Sequence, residues 1–211
     1  MAKHTYASHN SMVWEYLAIL RRIIQKLNSI SDEKERRQSI ALCIVMAVTV
    51  VETFLNIFFR LKVKEPNFIS HERYLLDCLS NRKSLEFKIK NWPKSILGLT
   101  IDLTTGIGKR FSDLKDKRNE LMHFTISDEP VIIENIQLRN FSDLSSYHSL
   151  QDSDAYGAVA TAEDFIQAIL ELSGVSDSKL NGRMLFWTGR PPNQALPKKE
   201  AERPSVRQRE T

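Results

Sequence analysis

The segment KDKRNELMHF, residues 115–124, holds residue types that are suited to chemistry. It contains Arg118, Asn119 and His123 within six residues. Histidine transfers protons near neutral pH, and an arginine guanidinium binds anions through donors held in a fixed plane. The segment is therefore the candidate for an active site that combines proton transfer with anion binding.

A helix through this segment places its polar residues on two neighbouring faces. The apolar face that includes Arg118 also holds Phe111, Leu114, Leu121 and Met122. A buried guanidinium needs a partner, and Glu52 is the natural one. Lys115, Asn119 and His123 follow the adjacent face at i, i+4 and i+8. Arg118 and His123 lie about 140° apart on an ideal helix. They share one site only if the helix end distorts or a second copy contributes.

Other catalytic motifs are absent from the sequence. Residues 106–109 echo the end of a phosphate-binding loop, but Leu103 replaces its first glycine and Arg110 its Ser or Thr. There is no Gly-x-Ser-x-Gly motif and no Cys/His spacing for a metal ion. The sequence thus predicts neither a cofactor nor a metal.

The apolar pattern and the scarcity of breakers predict an all-α fold. Only seven glycines and seven prolines are present. Hydrophobic periodicity predicts helices over about 11–28, 33–63, 70–80 and 108–124. Residues 131–138 are β-branched and predict a short strand pair or an irregular arm after the fourth helix. Residues 140–156 read as a loop, and Thr161 with Asp164 resembles a capping box that starts the last helix.

The second predicted helix is apolar enough to raise the question of a membrane. Ile40–Val51 carries no charge, and the apolar stretch Ile40–Leu61 approaches the length that is needed to span a membrane. Glu52, Asn56 and Arg60 form a polar stripe that would be costly in lipid. We therefore expect a central bundle helix and no membrane contact, with a membrane-associated helix as the alternative.

Charge and cysteine content suggest a domain boundary and a compartment. The net charge is +4, and residues 190–211 contribute about +3 of it. We expect a helical domain over 1–189 and a basic, proline-containing, disordered tail over 190–211. Cys43 and Cys78 give no disulfide framework, and Cys43 reads as a small buried hydrophobe. The N-terminus lacks the apolar core of a signal peptide, so a cytoplasmic protein is expected.

One basic stretch is a candidate for binding a nucleic acid backbone. Residues 82–94 are rich in Arg and Lys and include Phe87 and Trp92. Lys88, Lys90 and Lys115 are the candidate RNA contacts. The alternative is a solvated helix face with no ligand.

The Arg118-Asn119-x-x-x-His123 motif resembles the Arg-x(4–6)-His signature of the HEPN superfamily. The stretch AVTVVETFLNIFFR, residues 47–60, is similar to the second helix of many bacterial HEPN proteins, with an acid at Glu52 and an amide at Asn56. The resemblance spans roughly residues 10–173. It implies an antiparallel helical bundle.

The resemblance also implies a function. Many HEPN proteins are metal-independent endoribonucleases of toxin–antitoxin or antiviral defence systems, and they act as homodimers. On this chain, His123 would exchange a proton with the ribose 2′-OH or the leaving 5′-oxygen, and Arg118 would stabilise charge on the phosphate. Asn119 would orient the phosphate or the imidazole, and Glu52 and Asn56 would hold Arg118.

The expected partners are RNA, a second copy of the chain and an antitoxin or defence-system protein. The products of cleavage would carry 2′,3′-cyclic phosphate ends. The alternative is a catalytically silent HEPN module that binds a nucleotide or a partner and scaffolds an assembly. The two alternatives share a fold, and the exposure of Arg118 and His123 separates them.

Overall fold

The computed structural model describes residues 10–123 and 144–191 with their side chains, and the backbone of 131–133 and 136–138. The described part is helical apart from one short strand pair, which confirms the all-α class. The helices are α1 (Ser11–Leu27), α2 (Glu33–Lys62), α3 (Glu72–Ser80), α4 (Leu85–Trp92), α5 (Gly106–Met122), α6 (Ser145–His148), α7 (Asp152–Leu172) and α8 (Asp177–Thr188). Strands β1 (Val131–Ile133) and β2 (Ile136–Leu138) pair antiparallel, so the predicted strand pair forms.

Helix α2 is the centre of the fold, as its sequence predicts. It packs against α1, α7 and α5, and also contacts α3, α4 and α6. The carboxylate of Asp32 caps its start by accepting a hydrogen bond from the Glu35 backbone N–H at 2.8 Å. Arg60 and Lys62 occupy the last turn, where cations complement the helix dipole.

Aromatic pairs join five of the helices. Phe54 contacts Trp187 of α8 edge-to-face with ring centroids 5.0 Å apart, and Phe59 contacts Trp92 of α4 at 5.7 Å. Phe111 of α5 packs on a phenylalanine of α7 at 4.4 Å. Such pairs each add about 0.5–1.5 kcal/mol beyond the area that they bury.

One side of α2 is not covered by the rest of the described chain. By length and composition α2 is able to cross a membrane, and half of its most apolar stretch is buried within the protein. The remaining side forms the open face of α2, a surface that we define by Leu42, Val45, Met46, Thr49 and Thr53. These five residues are exposed or half-exposed. Leu42 is 48% exposed, which is high for a leucine in the middle of a core helix.

Helix α4 lies in the basic stretch over residues 82–94, for which a solvated helix face was one of the two interpretations of the sequence. Ser84 starts it by accepting a hydrogen bond from the Phe87 backbone N–H at 3.2 Å. The helix ends at Trp92, and Pro93 opens a wider turn that runs to Leu97. This turn is π-helical, and Gly98 ends it in the left-handed conformation.

The predicted start of the last long helix is wrong. Thr161 is 8% exposed and lies in the middle of α7, which begins nine residues earlier at Asp152. The Gln151 backbone N–H donates to the Asp154 carboxylate at 2.8 Å and fixes this start. The Ser- and Asp-rich composition that suggested a loop is also the composition of a helix N-terminus. Within the same predicted loop, residues 145–148 form α6, residues 144 and 149–151 are non-helical, and residues 140–143 lie outside the described residues.

The chain enters α5 through a tight turn. The Asp102 carboxylate accepts hydrogen bonds from the Thr104 hydroxyl at 2.6 Å, the Thr104 backbone N–H at 2.8 Å and the Thr105 hydroxyl at 2.8 Å. These bonds hold the pKa of Asp102 below its ordinary value. The turn brings the Asp102 carbonyl against Gly108, where a Cβ atom would lie 2.0 Å from that oxygen.

We expect Gly108→Ala to destabilise the protein by about 1–3 kcal/mol, because the new methyl group has no space. Gly157→Ala is the matched control. Gly157 lies in α7 with nothing within 4 Å of an added Cβ, so its replacement should stabilise by about 0.5–1 kcal/mol. Urea unfolding of the two variants should therefore shift in opposite directions. Equal midpoints would contradict the close approach at Gly108.

The C-terminal part of the described chain docks on the body. Met184 and Trp187 of α8 are 3% exposed, so they pack against the rest of the protein. Arg190, predicted to begin the tail, forms an ion pair with the buried carboxylate of Glu163 in α7. The folded part therefore extends at least one residue beyond 189. The predicted disorder of the tail falls, from residue 192 on, outside the described residues.

Candidate functional site

The Arg118–His123 motif lies at the end of α5. Arg118 and Asn119 are half-buried in the last turns, and His123 is exposed. The helix ends at Met122, and His123 leaves helical geometry with φ −128° and ψ 78°. Its backbone N–H still donates to the Asn119 carbonyl at 2.8 Å. The angle of about 140° expected on an ideal helix therefore does not apply, because the helix end departs from that geometry.

The predicted pairing of Arg118 with Glu52 is wrong. Glu52 forms an ion pair with Lys88 of α4, with 2.5 Å between Oε1 of Glu52 and Nζ of Lys88. The Lys88 side chain is 7% exposed and so needs a counter-charge more than Arg118 does. Within the described residues, Arg118 has no ion pair and no hydrogen bond. Its half-exposed position lets the guanidinium reach water while the stem packs on the helix face.

Asn56 also does not hold Arg118 in this structure. Its side-chain oxygen is buried and finds no hydrogen-bond donor among the described residues. The indole nitrogen of Trp92 is buried in the same unpartnered way. Each unsatisfied group costs about 1–3 kcal/mol. Of the predicted supporting pair, Glu52 thus contacts α4, and Asn56 has no such partner among the described residues.

The three candidate RNA-contacting lysines differ in accessibility. Lys88 is buried and paired with Glu52, and so cannot reach a phosphate in this conformation. Lys90 and Lys115 both form ion pairs with the Glu86 carboxylate, at 2.6 and 3.2 Å. These two contacts, that of Lys90 more than that of Lys115, lower the pKa of the Glu86 carboxyl below its ordinary value. Of the three, only Lys90 has a side chain more than half exposed.

Two contacts fix the end of α5 against its neighbours. Lys117 pairs with Asp154 in the first turn of α7 at 2.7 Å. The hydroxyl of Ser146 in α6 donates to Glu120 at 3.3 Å. Sequence patterns did not predict α6, because its residues have the composition of a loop. These contacts position the last turns of α5 just before His123.

Helix α6 also contacts the start of α2. A guanidinium nitrogen of Arg37 lies 3.1 Å from Nδ1 of His148, the last residue of α6. Because α6 touches both elements, the end of α5 and the first half of α2 lie at the same end of the fold. The Arg118–His123 motif is therefore at the end of the molecule where the open face of α2 begins.

Among the described residues, no group of three or more His, Cys, Asp or Glu side chains is arranged to hold a metal ion. Arg118, Asn119 and His123 place a guanidinium, an amide and an imidazole within about one and a half helical turns of the chain. Such a set can bind an anion and transfer a proton beside it. Comparisons with protein-family models, with curated proteins and with solved structures find no match for this chain.

Proposed function

We propose that this chain is a metal-independent endoribonuclease of the HEPN type. The observation that supports the proposal is the accessibility of the Arg118–His123 motif at the end of α5. His123 is exposed and released from the helix, and Arg118 has no counter-charge among the described residues. A guanidinium that is half-exposed and has no counter-charge among the described residues supports binding of a phosphate there. The proposed setting is the cytoplasm of a bacterium, in a defence or toxin–antitoxin system.

The proposed reaction follows from the chemistry of the three side chains. His123 accepts the proton of a ribose 2′-OH, or donates one to the leaving 5′-oxygen. The 2′-OH loses its proton as its oxygen attacks phosphorus, the P–O5′ bond breaks, and the leaving 5′-oxygen takes up a proton, so that a 2′,3′-cyclic phosphate and a 5′-OH form; water exchanges the proton that His123 does not. Arg118 stabilises the negative charge that develops on the phosphate oxygens. Asn119, one residue on, orients the phosphate or the imidazole.

The proposed active form is a homodimer that buries the open face of α2. Leu42 is 48% exposed in that face, and Met122 at the end of α5 is 54% exposed. Exposed large apolar side chains are candidate sites of association. A two-fold contact there would bring two copies of the Arg118–His123 motif towards one another.

We expect Leu42→Arg to convert the dimer to a monomer, because it places a charge in the open face. Leu76→Arg is the matched control, since Leu76 is 52% exposed on α3 and lies outside that face. Sedimentation velocity at micromolar concentration should show a monomer for the first variant and a dimer for the second. A dimer in both would place the interface elsewhere.

The test of the proposed function is cleavage of RNA in EDTA. We expect the purified chain to cut a single-stranded RNA oligonucleotide and leave 2′,3′-cyclic phosphate ends, which T4 polynucleotide kinase treatment reveals. The same oligonucleotide with one 2′-deoxy sugar should resist cleavage at that sugar alone. Cleavage at the deoxy position would rule out attack by the 2′-oxygen. No cleavage at high concentration of the folded dimer would contradict the ribonuclease.

The catalytically silent module is the second candidate, and one observation favours it. Glu52 pairs with Lys88 and does not hold Arg118, so the predicted support of the motif is incomplete in the single chain. A silent module would bind RNA or a nucleotide without cutting it, or bind an antitoxin or defence-system partner. Binding of the oligonucleotide by the intact chain without cleaved ends would support this alternative.

A further inference from the structure

A cavity of about 510 Å³ lies between the last turns of α2, the end of α7 and α8. We call it the basic groove. Its floor is apolar and consists of Phe58, Leu170 and Trp187, which are 8%, 1% and 3% exposed. Leu61 and Phe186 stand at its edges and are 38% and 46% exposed. The volume falls within the range of about 300–1,000 Å³ that is typical of sites for small molecules.

Two cations on the rim of the basic groove have no carboxylate partner within the described chain. Lys179 and Arg183 are exposed and lie one turn apart on α8. Like charges at i and i+4 repel one another, and Lys179 lies in the first turn, where the helix dipole disfavours a cation. The stability of α8 therefore does not account for this arrangement. A bound anion would relieve both unfavourable interactions.

The third cation of the groove, Lys62, has a carboxylate partner. Lys62 pairs with Glu65 at 2.8 Å and lies over the Phe68 ring, 4.6 Å from its centroid. The only carboxylate among the described lining residues is thus neutralised locally. Within the part of the chain that the structure describes, the positive charge of the groove that has no carboxylate partner belongs to Lys179 and Arg183. It lies beside the apolar floor, so the complementary ligand is an anion that carries a hydrocarbon part.

We propose that the basic groove binds a linear monocarboxylate with a medium-length hydrocarbon chain. The hydrocarbon chain packs on Phe58, Leu170 and Trp187, and the carboxylate lies between Lys179 and Arg183. Arginine binds a carboxylate through two parallel hydrogen bonds, and lysine adds a point charge. The groove lies at the C-terminal end of α2, whereas α6 joins the end of α5 to the start of α2. The site is therefore separate from the Arg118–His123 motif and does not depend on the proposed ribonuclease.

The test is calorimetric titration of the full chain with decanoate below its micelle-forming concentration. We expect one equivalent to bind. The double variant Lys179→Gln/Arg183→Gln should bind decanoate at least about tenfold more weakly, as expected for the loss of charge-assisted contacts. Decyltrimethylammonium, which has a similar chain and the opposite charge, should also bind at least about tenfold more weakly than decanoate.

The matched control is Arg22→Gln/Lys26→Gln. Arg22 and Lys26 are an exposed pair of cations at i and i+4 on α1, so this variant loses the same charge away from the basic groove. It should bind decanoate like the unmodified chain. Equal weakening in both double variants would show non-specific attraction and overturn the proposal, as would several equivalents bound or no binding at all.

A single substitution at the edge of the groove gives a second test. Leu61→Asp introduces a negative charge at an exposed position, so folding should be preserved while decanoate is repelled. We expect decanoate binding to fall at least about tenfold. Unchanged binding in Leu61→Asp would show that decanoate occupies another site.

Discussion

His123→Ala is expected to lower the rate of RNA cleavage by about 10²–10⁴-fold, which is the usual contribution of a general acid or base. The exposed imidazole at the end of α5 carries the proton in the proposed reaction, and alanine offers no substitute. Folding should be unaffected, because no described residue depends on the His123 side chain and the position follows the last helical residue. The measurement is the initial rate on a single-stranded RNA oligonucleotide in EDTA.

The control for this prediction is His71→Ala. His71 is a half-exposed histidine in the short turn before α3, outside the α5 motif. Both variants should match the unmodified chain in thermal melting and in sedimentation. A ribonuclease rate that falls equally in both variants would point to a contaminating nuclease or to misfolding. A rate that is unchanged in His123→Ala would remove His123 from the proposed mechanism.

The candidate site was only partly predictable from the sequence. The sequence located Arg118 and His123 on one helix, and the structure places them at its end. Helical spacing could not show that the helix stops at Met122, because no glycine or proline marks that point. The dihedral angles of His123, and with them the exposure of its ring, depend on how the helix ends.

The partner of Glu52 could not be predicted from periodicity. Spacing along α2 places Glu52 and Asn56 on a common side of the helix, but it does not say which neighbour covers that side. The answer depends on α4, a helix that hydrophobic periodicity did not predict. Its eight residues include three charges and an amide, so hydrophobic periodicity is weak. In the structure Lys88 of α4 pairs with Glu52, and Arg118 of α5 does not.

The long helices were easier to predict than the short ones. The bounds of α1 and α2 follow from long apolar patterns with clear end signals, and the structure moves them by one residue at most. The start of α7 was missed because small and acidic residues precede its large apolar ones. Ala155, Gly157 and Ala158 carry little hydrophobic signal, although Ala155 and Ala158 are buried. Close packing of helices on small side chains leaves no strong periodic pattern in the sequence.

Glu163→Ala is expected to destabilise the protein by about 3–5 kcal/mol, because it leaves buried positive charge without a partner. The Glu163 side chain is 6% exposed. One of its oxygens accepts hydrogen bonds from Arg21 of α1 at 2.9 and 2.6 Å, and the other pairs with Arg190 beyond α8. Without the carboxylate, two guanidinium groups that are less than one-fifth exposed would face each other. Urea unfolding gives the free energy directly.

The control is Glu171→Ala on the same helix. Glu171 is exposed, and within the described chain its side chain pairs only with Gln167, at 2.8 Å, so its loss should cost no more than about 0.5 kcal/mol. A small effect in both variants would show that Arg21 and Arg190 reach solvent when the carboxylate is removed.

A triple variant separates the loss of a partner from the value of the whole cluster. Replacing Arg21 and Arg190 with methionine and Glu163 with leucine removes all three charges and keeps similar side-chain volumes. Replacement of buried ion clusters by apolar groups is commonly neutral or stabilising by about 1–4 kcal/mol. We therefore expect the triple variant to be at least as stable as the unmodified chain, although Glu163→Ala is far less stable. If the triple variant is as unstable as Glu163→Ala, the cluster itself stabilises the junction of α1, α7 and the chain beyond α8.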